Sequence, residues 1–230
     1  EDACESLGSE SSYKKIGNFG LMSSFSTYFG HHISTIEGGM ICTNDSEIYN
    51  ILKSIRSHGW DRDLDPDLRS ELRKKHNVDD FEALYKFYYF GFNVRATDLQ
   101  AFIGLGQLRK LEDIVTKRNK NYNLYKKLLN TDIWQAPQST SKNFVSNFAY
   151  PVITTKRSEV VRELQKENIA ARPLICGSLE KQPFWSDNFE QVKLKNADLV
   201  DRFGLYLPNN HQISEKEIRQ ICNTINKVIK

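Results

Sequence analysis

Two short apolar runs near the start of the chain are joined by a polar loop, and this pattern constrains the fold most. The first run covers residues 19–25, the second covers 40–42, and the loop holds the histidine pair His31–His32 followed by Glu-Gly-Gly. Such runs, separated by a Gly-rich turn, predict two paired strands. From residue 16 to residue 52 the sequence contains no lysine or arginine. The two imidazoles are therefore the only basic side chains in this stretch.

Composition predicts a soluble globular protein. The 230 residues are 39% hydrophobic and 27% charged. This apolar content is enough to form one large hydrophobic core or two smaller ones. The 32 basic and 29 acidic side chains are spread along the chain, so no basic block predicts binding to nucleic acid or to a membrane surface. No apolar run approaches the roughly 18 residues of a membrane span, and no signal peptide is visible. We expect a cytoplasmic location.

Four cysteines are widely separated in the sequence: Cys4, Cys42, Cys176 and Cys222. No CxxC or CxC spacing occurs, so the sequence predicts neither a zinc site nor an iron–sulfur cluster. We therefore expect no metal, and we expect the thiols to be buried and reduced.

Capping residues and apolar spacing predict a helix after the second apolar run. Any of residues 44–46 (Asn-Asp-Ser) can cap it, apolar side chains recur at three- and four-residue intervals through Ile55, and Gly59 can end it. The charged stretch 61–80 has no clear period and predicts either a long loop or a short surface helix. No site is assigned to that stretch.

A second helix is predicted to begin at Thr97 or Asp98 and to run toward Leu129, joining two domains. Gly104 and Gly106 lie inside it. Each glycine costs roughly 1 kcal/mol relative to alanine in a helix interior. We therefore expect this part of the helix to pack closely on another element.

Strand and helix signals alternate in the second half of the chain. Ser214 and Glu217 form a capping-box signal for the last helix. This half predicts a small α/β domain with a strand over 148–153, a helix over 159–167 and extended pieces at 170–174 and 205–208.

Four separated segments resemble one family when they are taken together: Glu1–Ala3, Phe25–Gly39, Gly91–Ala101 and Gly204–Pro208. Their order is typical of the DegT/DnrJ/EryC1/StrS family of nucleotide-sugar aminotransferases and related enzymes, which use pyridoxal 5′-phosphate (PLP). The resemblance covers nearly the whole chain and implies an α/β fold of the aspartate-aminotransferase type I class. It implies that residues 1–115 form the C-terminal part of a large parallel-sheet domain with the start of a linking helix, and that 116–230 form a small C-terminal α/β domain.

His31 marks a departure from the aminotransferases of that family, which carry at this position the lysine that forms a Schiff base with the cofactor. Imidazole forms no stable imine with an aldehyde, but it moves protons near neutral pH. The change resembles the nucleotide-sugar 3-dehydratase branch of the family. Two further segments also resemble that branch: Ser57–Trp60 and Arg172–Ser178. The scattered cysteines argue against the variant of this chemistry that carries an iron–sulfur cluster.

The resemblance implies removal of the C3 hydroxyl from a nucleotide-linked 4-keto-6-deoxyhexose, with GDP-4-keto-6-deoxymannose as the expected substrate. PLP and pyridoxamine phosphate would be the cofactor forms, and glutamate the amino donor. The reaction would belong to the synthesis of dideoxysugars such as colitose for lipopolysaccharide O-antigens. In it, His31 would take a proton from the cofactor and give one to the leaving hydroxyl. Two alternatives remain: a nucleotide-sugar 4-aminotransferase and a catalytically silent family member.

The same resemblance implies four cofactor contacts. Asp2 would pair with the protonated pyridine nitrogen, and Glu5 would lie near the 3-hydroxyl of the ring. Ser26 would hydrogen-bond the phosphate, and Asn93 would reach the phosphate of a neighbouring subunit in a homodimer with shared active sites. Read alone, each is an ordinary polar residue. The order of the motifs is what favours the cofactor roles.

His58 and Arg172 are weaker candidates, for contacts with the nucleotide sugar. His58 can equally be an ordinary cation at a helix C-terminus, whereas His32 is expected to be structural. The chain begins with Glu1 instead of Met, close to the cofactor aspartate. We therefore expect the main phosphate loop to lie upstream and these 230 residues alone to bind PLP weakly.

Overall fold

The structure, a computed structural model, describes residues 1–132, 134 and 142–229. These residues form two compact units. The first comprises Glu1–Cys4 and Gly17–Arg109, and the second comprises Glu5–Ile16 and the described residues from Lys110 onward. The domain limits 1–115 and 116–230 stay a prediction.

The first unit contains an antiparallel pair of strands followed by three helices. Strand β3 (Met22–Ser26) pairs with strand β4 (Gly39–Thr43), from Met22 opposite Thr43 to Ser26 opposite Gly39, which confirms the predicted strand pair. Between residues 1 and 109 the elements of this unit are β3 (Met22–Ser26), β4 (Gly39–Thr43), α1 (Ser46–Ile55), α2 (Pro66–Lys75) and α3 (Asp98–Leu108).

Side-chain caps fix where these helices begin. Asp45 accepts hydrogen bonds from the backbone N–H groups of Glu47 and Ile48, so it is the one of the three candidate residues that caps α1. Thr97 and Gln100 form a capping box at the start of α3. The charged stretch 61–80 contains the surface helix α2, which buries none of its residues. The surface-helix alternative is therefore the correct one.

The prediction of one long helix from Thr97 toward Leu129 is wrong. A break at Arg109 and Lys110 separates α3 from α4 (Leu111–Leu128). At the break, the backbone N–H of Arg109 turns back to the carbonyl of Gln107, so the regular pattern of helical hydrogen bonds stops. The break coincides with the boundary between the two units.

The second unit holds a three-stranded antiparallel sheet with the order β5-β7-β6. The predicted strand and helix signals of this half are confirmed, including the capping box in which Ser214 and Glu217 begin the last helix. The described elements of the unit are β1 (Glu10–Ser11), β2 (Lys14–Lys15), α4, β5 (Ala149–Ile153), α5 (Arg157–Lys166), β6 (Arg172–Pro173), α6 (Pro183–Ser186), α7 (Lys195–Phe203), β7 (Gly204–Pro208) and α8 (Glu215–Ile229).

The core of the second unit lies between the sheet and helices α4, α5 and α8. It is formed by buried side chains that include Tyr122, Tyr125, Val152, Leu164, Leu207, Ile218 and Ile225. Arg118 of α4 is also buried, and it donates hydrogen bonds to the carbonyls of Phe148 at 2.7 Å and Asn209 at 2.9 Å. Burial lowers the pKa of Arg118 to about 10. These bonds join α4 to the chain segments that flank β5 and β7.

Strands β1 to β7 all pair antiparallel. Within the described ranges, parallel pairing is limited to a bridge between Asp2 and Ser24. In the same ranges, no helix is long and apolar enough to cross a membrane, and no three His, Cys, Asp or Glu side chains are grouped to hold a metal ion.

The four cysteines form no disulfide, and all of them lie in the described residues. The prediction that the thiols are buried is wrong for Cys42 and Cys176, which are exposed, and holds for Cys222. Four of the five residues of β4 are exposed, Cys42 among them, so its place in a strand does not bury it. Cys176 lies in the turn that follows β6.

We predict that a thiol reagent modifies Cys42 and Cys176 quickly in the native protein, and Cys222 only after unfolding. Burial raises the pKa of Cys222 to about 12, so little of the reactive thiolate forms near neutral pH. Mass spectrometry of tryptic peptides after timed labelling at pH 8 measures the three rates. Labelling of Cys222 as fast as that of Cys42 would contradict the burial of its side chain.

Gly104 and Gly106 of α3 form a matched pair for a test of packing. A Cβ at Gly104 would lie 3.1 Å from Cγ2 of Thr35, whereas a Cβ at Gly106 meets no described atom within 4 Å. The expected close packing is therefore confirmed at Gly104 and wrong at Gly106. We predict that Gly106→Ala raises the free energy of unfolding by about 1 kcal/mol, and that Gly104→Ala gains less because Thr35 must move. Urea unfolding measures the free energy of unfolding of both variants. A gain for Gly104→Ala that equals or exceeds the gain for Gly106→Ala would contradict the close contact between Gly104 and Thr35.

Candidate active site

Asp2 is held against strand β3 by backbone and side-chain hydrogen bonds. The Ala3 N–H donates to the Ser24 carbonyl at 2.9 Å, and the Ser24 N–H donates to the Glu1 carbonyl at 2.8 Å. Oδ1 of Asp2 accepts from the Cys4 N–H at 3.2 Å and from Oγ of Ser24 at 3.3 Å. These bonds, those from Cys4 above all, hold the pKa of Asp2 below its usual range. Asp2 is thus an oriented, ionised carboxylate.

His31 is oriented by the backbone of Cys4. Nδ1 of His31 lies 2.7 Å from the Cys4 carbonyl oxygen. A carbonyl oxygen only accepts hydrogen bonds, so Nδ1 must be the donor. The neutral imidazole therefore carries its basic lone pair on Nε2.

The loop that carries His31 is fixed by its own hydroxyls and by helix α3. Oγ1 of Thr27 and Oγ1 of Thr35 are hydrogen-bonded at 2.6 Å, and Nε2 of Gln100 donates to the Glu37 carbonyl at 2.6 Å. A Cβ at Gly38 would lie 2.4 Å from the Thr35 hydroxyl oxygen, so glycine is required there. His32 is 2% exposed and sits inside the loop. The Glu-Gly-Gly turn is therefore part of what holds His31 in place.

Ser26 ends strand β3 opposite Gly39, and its Oγ accepts a hydrogen bond from the Tyr28 N–H at 3.2 Å. Alternate residues of a strand share one face, so Ser26 and Ser24 point to the same side of β3. Ser24 contacts Asp2. The structure thus places Ser26 on the face of the strand that holds the carboxylate.

His58 and Asn93 lie together where two segments of the first unit cross. Ser57 and Asn93 form an antiparallel bridge, and the His58 N–H donates to the Phe92 carbonyl at 2.7 Å. Gly59 has a φ of +85°, and a Cβ there would lie 2.0 Å from the Tyr89 carbonyl oxygen, so only glycine fits this crossing.

The His58 ring packs against an aromatic side chain that also contacts a cation. Its ring lies 4.7 Å from the ring of Trp60, which in turn contacts the Arg62 guanidinium at 3.8 Å. Asn93 is exposed, and its Oδ1 accepts from Arg95 at 3.3 Å. The contact between the His58 and Trp60 rings was not foreseen from sequence, although both residues belong to the segment Ser57–Trp60.

Glu5 and Arg172 belong to the second unit, and both are linked to Tyr206. Arg172 of β6 pairs with Tyr206 of β7. The Glu5 carbonyl accepts from the Phe148 N–H at 3.0 Å. Burial, with a smaller contribution from the charge of Glu5, raises the pKa of Tyr206 to about 12. The cofactor and substrate roles assigned to Glu5 and Arg172 stay predictions.

Two residues of the site were missed from sequence: Ser24 and Cys4. Ser24 could have been found, because it stands two residues before Ser26 and so shares its strand face. Cys4 contributes its backbone N–H and carbonyl to Asp2 and His31, and no side-chain pattern signals that role.

The chain is similar to known proteins over nearly its whole length. The GDP-4-keto-6-deoxy-D-mannose 3-dehydratase of Yersinia pseudotuberculosis is 34% identical over 235 residues, which cover 99% of this chain and 59% of that protein. An E. coli GDP-4-keto-6-deoxy-D-mannose-3-dehydratase structure with bound hydrated PLP superposes with a TM-score of 0.83 at 33% identity, covering 98% of this chain and 59% of that one. The chain therefore spans about three fifths of the length of these relatives.

A further structure, GDP-4-keto-6-deoxymannose-3-dehydratase with a trapped PLP-glutamate geminal diamine, superposes with a TM-score of 0.82 at 32% identity, covering 96% of this chain and 59% of that one. These superpositions confirm the predicted α/β fold of the aminotransferase type I class. The family model of the DegT/DnrJ/EryC1/StrS aminotransferases matches residues 1–226. The chain is therefore a member of the DegT/DnrJ/EryC1/StrS aminotransferase family.

Proposed function

We propose that the protein containing this sequence removes the C3 hydroxyl of a nucleotide-linked 4-keto-6-deoxyhexose, with PLP and pyridoxamine phosphate as cofactor forms and glutamate as amino donor. GDP-4-keto-6-deoxymannose is the proposed substrate. One observation carries the proposal: His31 replaces the Schiff-base lysine of the family's aminotransferases, and its bond to the Cys4 carbonyl leaves the basic lone pair on Nε2. The relatives named as 3-dehydratases support the choice of reaction.

The side chains of the first unit fit a pyridoxal phosphate. Asp2, with its lowered pKa, would hold a proton on the pyridine nitrogen, and the hydroxyl of Ser26 would bind the phosphate. Such a cofactor supplies an electron sink when it is bound. Glu5 stays a proposed neighbour of the 3-hydroxyl, and His58 and Arg172 stay proposed contacts of the nucleotide sugar.

His31 would move protons rather than hold the cofactor covalently. Nε2 would be the atom that takes up a proton during the reaction and donates one to the hydroxyl that leaves C3. The Nδ1–H bond to Cys4 keeps the ring in one orientation through both steps. Because imidazole forms no stable imine, His31 would not return the cofactor to a covalent resting state. This favours a reaction that releases ammonia over one that yields an amino sugar.

The aminotransferase alternative needs a lysine at the site. Residues 16–52 contain none, and Lys14 and Lys15 form the exposed strand β2 of the second unit, paired with β1. The structure offers no observation that favours this alternative or a silent protein. Assay of the product decides among the three.

We also propose a homodimer in which Asn93 reaches the phosphate bound by the neighbouring subunit. Large apolar side chains on both sides of Asn93 are exposed: Phe90 at 104%, Phe92 at 66% and Val94 at 67%. A cluster of this kind on a folded chain marks an interaction surface. The exposed thiols of Cys42 and Cys176 favour a reducing compartment, so we propose a cytoplasmic location.

We predict that His31→Asn lowers kcat for loss of the C3 oxygen by about 10²- to 10⁴-fold, because asparagine cannot transfer a proton. Mass spectrometry of the sugar product and an ammonia assay, with PLP, glutamate and the GDP-4-keto-6-deoxy sugar, measure the reaction. His76→Asn, at the exposed end of α2, is the control and should leave the rate unchanged. Nitrogen retained on the wild-type sugar product would overturn the dehydratase assignment.

We predict that Phe90→Asp weakens the homodimer, since a charge would be buried where an aromatic ring packs. Sedimentation velocity over a concentration series should show the sedimentation coefficient falling from that of a dimer toward that of a monomer. Phe81→Asp, at a position that is 83% exposed in another segment, is the matched control. A wild-type protein that stays monomeric at high concentration would rule the dimer out.

A further inference from the structure

We propose that Ser24 is a positioning residue of the active site, which orients the carboxylate of Asp2 and, through Cys4, supports the imidazole of His31. The inference rests on the proposed function, because it gives Asp2 and His31 their roles there. It adds a residue that the motifs leave unassigned. The evidence is the network of hydrogen bonds that meets at the Ser24 hydroxyl.

The Ser24 hydroxyl lies between two groups of the site. Its Oγ donates to Oδ1 of Asp2 at 3.3 Å and accepts from Sγ of Cys4 at 3.8 Å. Its backbone forms the parallel bridge to Asp2, with bonds to the carbonyl of Glu1 and the N–H of Ala3. Because backbone bonds hold the two segments in register, the hydroxyl stays over the carboxylate.

The Cys4 N–H and the Ser24 hydroxyl donate to the same oxygen of Asp2, Oδ1. Two bonds to one oxygen fix the rotation of the carboxyl plane. A carboxylate held in this way is oriented for a cationic partner such as a protonated pyridine nitrogen.

The connection to His31 runs through Cys4. This residue donates its N–H to Asp2 and accepts the Nδ1–H of His31 at its carbonyl. Its side chain contacts Ser24. Loss of the Ser24 hydroxyl therefore removes one of the hydrogen bonds to Asp2 and one side-chain contact of the residue that orients His31.

Strand β3 supplies a matched control. Ser23 is the adjacent residue and is 1% exposed, and its Oγ has no hydrogen-bond partner within the described chain. It points to the opposite face of the strand from Ser24. Ser23→Ala therefore removes a hydroxyl from strand β3 and leaves the contacts of Asp2 and Cys4 unchanged.

The test compares Ser24→Ala, Ser24→Thr and Ser23→Ala in the protein that contains this sequence. We expect Ser24→Ala to raise the dissociation constant of PLP about tenfold, the effect of one hydrogen bond to a charged group. It should also lower kcat more than it changes KM. Ser24→Thr, which keeps the hydroxyl, and Ser23→Ala should bind PLP as the wild type does. Equal PLP affinity in Ser24→Ala and wild type, or an equal defect in Ser24→Thr, would overturn the proposal.

A second measurement needs no cofactor. The carboxyl ¹³C signal of Asp2, followed against pH in the cofactor-free protein, should titrate at a higher pKa in Ser24→Ala, because a donor to the ionised form is lost. Cys4 and the amino group of Glu1 also act on this carboxylate, and neither residue is replaced in any variant. An unchanged titration would contradict the role of Ser24. Should Ser24→Ala not fold, Ser24→Cys, which keeps the size but weakens the donor, gives the same comparison.

The two readouts separate failure of this inference from failure of the proposed function. If Asp2→Asn leaves PLP affinity unchanged, Asp2 is not the partner of the cofactor and the proposed function loses support. The ¹³C titration of the Ser24 variants still decides whether Ser24 positions Asp2.

Discussion

The hydrogen bond from Nδ1 of His31 to the Cys4 carbonyl is the interaction on which the site depends. It selects the tautomer with a basic Nε2, and it ties the loop between β3 and β4 to the segment that carries Asp2. The surrounding structure keeps this bond in place, because Gln100 of α3 binds the Glu37 carbonyl and the loop closes on its own threonine hydroxyls. An antiparallel strand pair, a glycine turn and one helix cap thus orient one imidazole.

Local patterns predicted much of the fold. The β3–β4 pair, the cap of α1 at Asp45 and the capping box at Ser214 follow from the spacing of apolar and capping residues, and the structure has them. Features that depend on distant contacts were not predicted. The apolar stripe continues across Arg109, so spacing alone cannot show the break before α4. The exposure of Cys42 likewise depends on what covers β4.

For the site, the order of the motifs identified some residues, and others were found only in the structure. His31 was singled out by its position between sequence motifs, since a histidine pair alone says little about catalysis. Asp2 was identified in the same way, and the structure adds the physical cause of its lowered pKa. The contribution of Cys4 is made by its backbone and depends on the strand register that places Asp2 beside Ser24. Sequence gives no direct view of such a register, so the link between the two side chains emerged only from the structure.

In the proposed reaction His31 carries protons at a position where a lysine would bind the cofactor covalently. Borohydride reduction of the protein with one equivalent of PLP, followed by intact-protein and peptide mass spectrometry, tests this role. His31→Lys serves as the positive control for a trapped imine. We predict that the wild-type protein keeps its unmodified mass while the variant gains a stoichiometric adduct. A stoichiometric adduct on one lysine of the wild-type protein would contradict this role of His31.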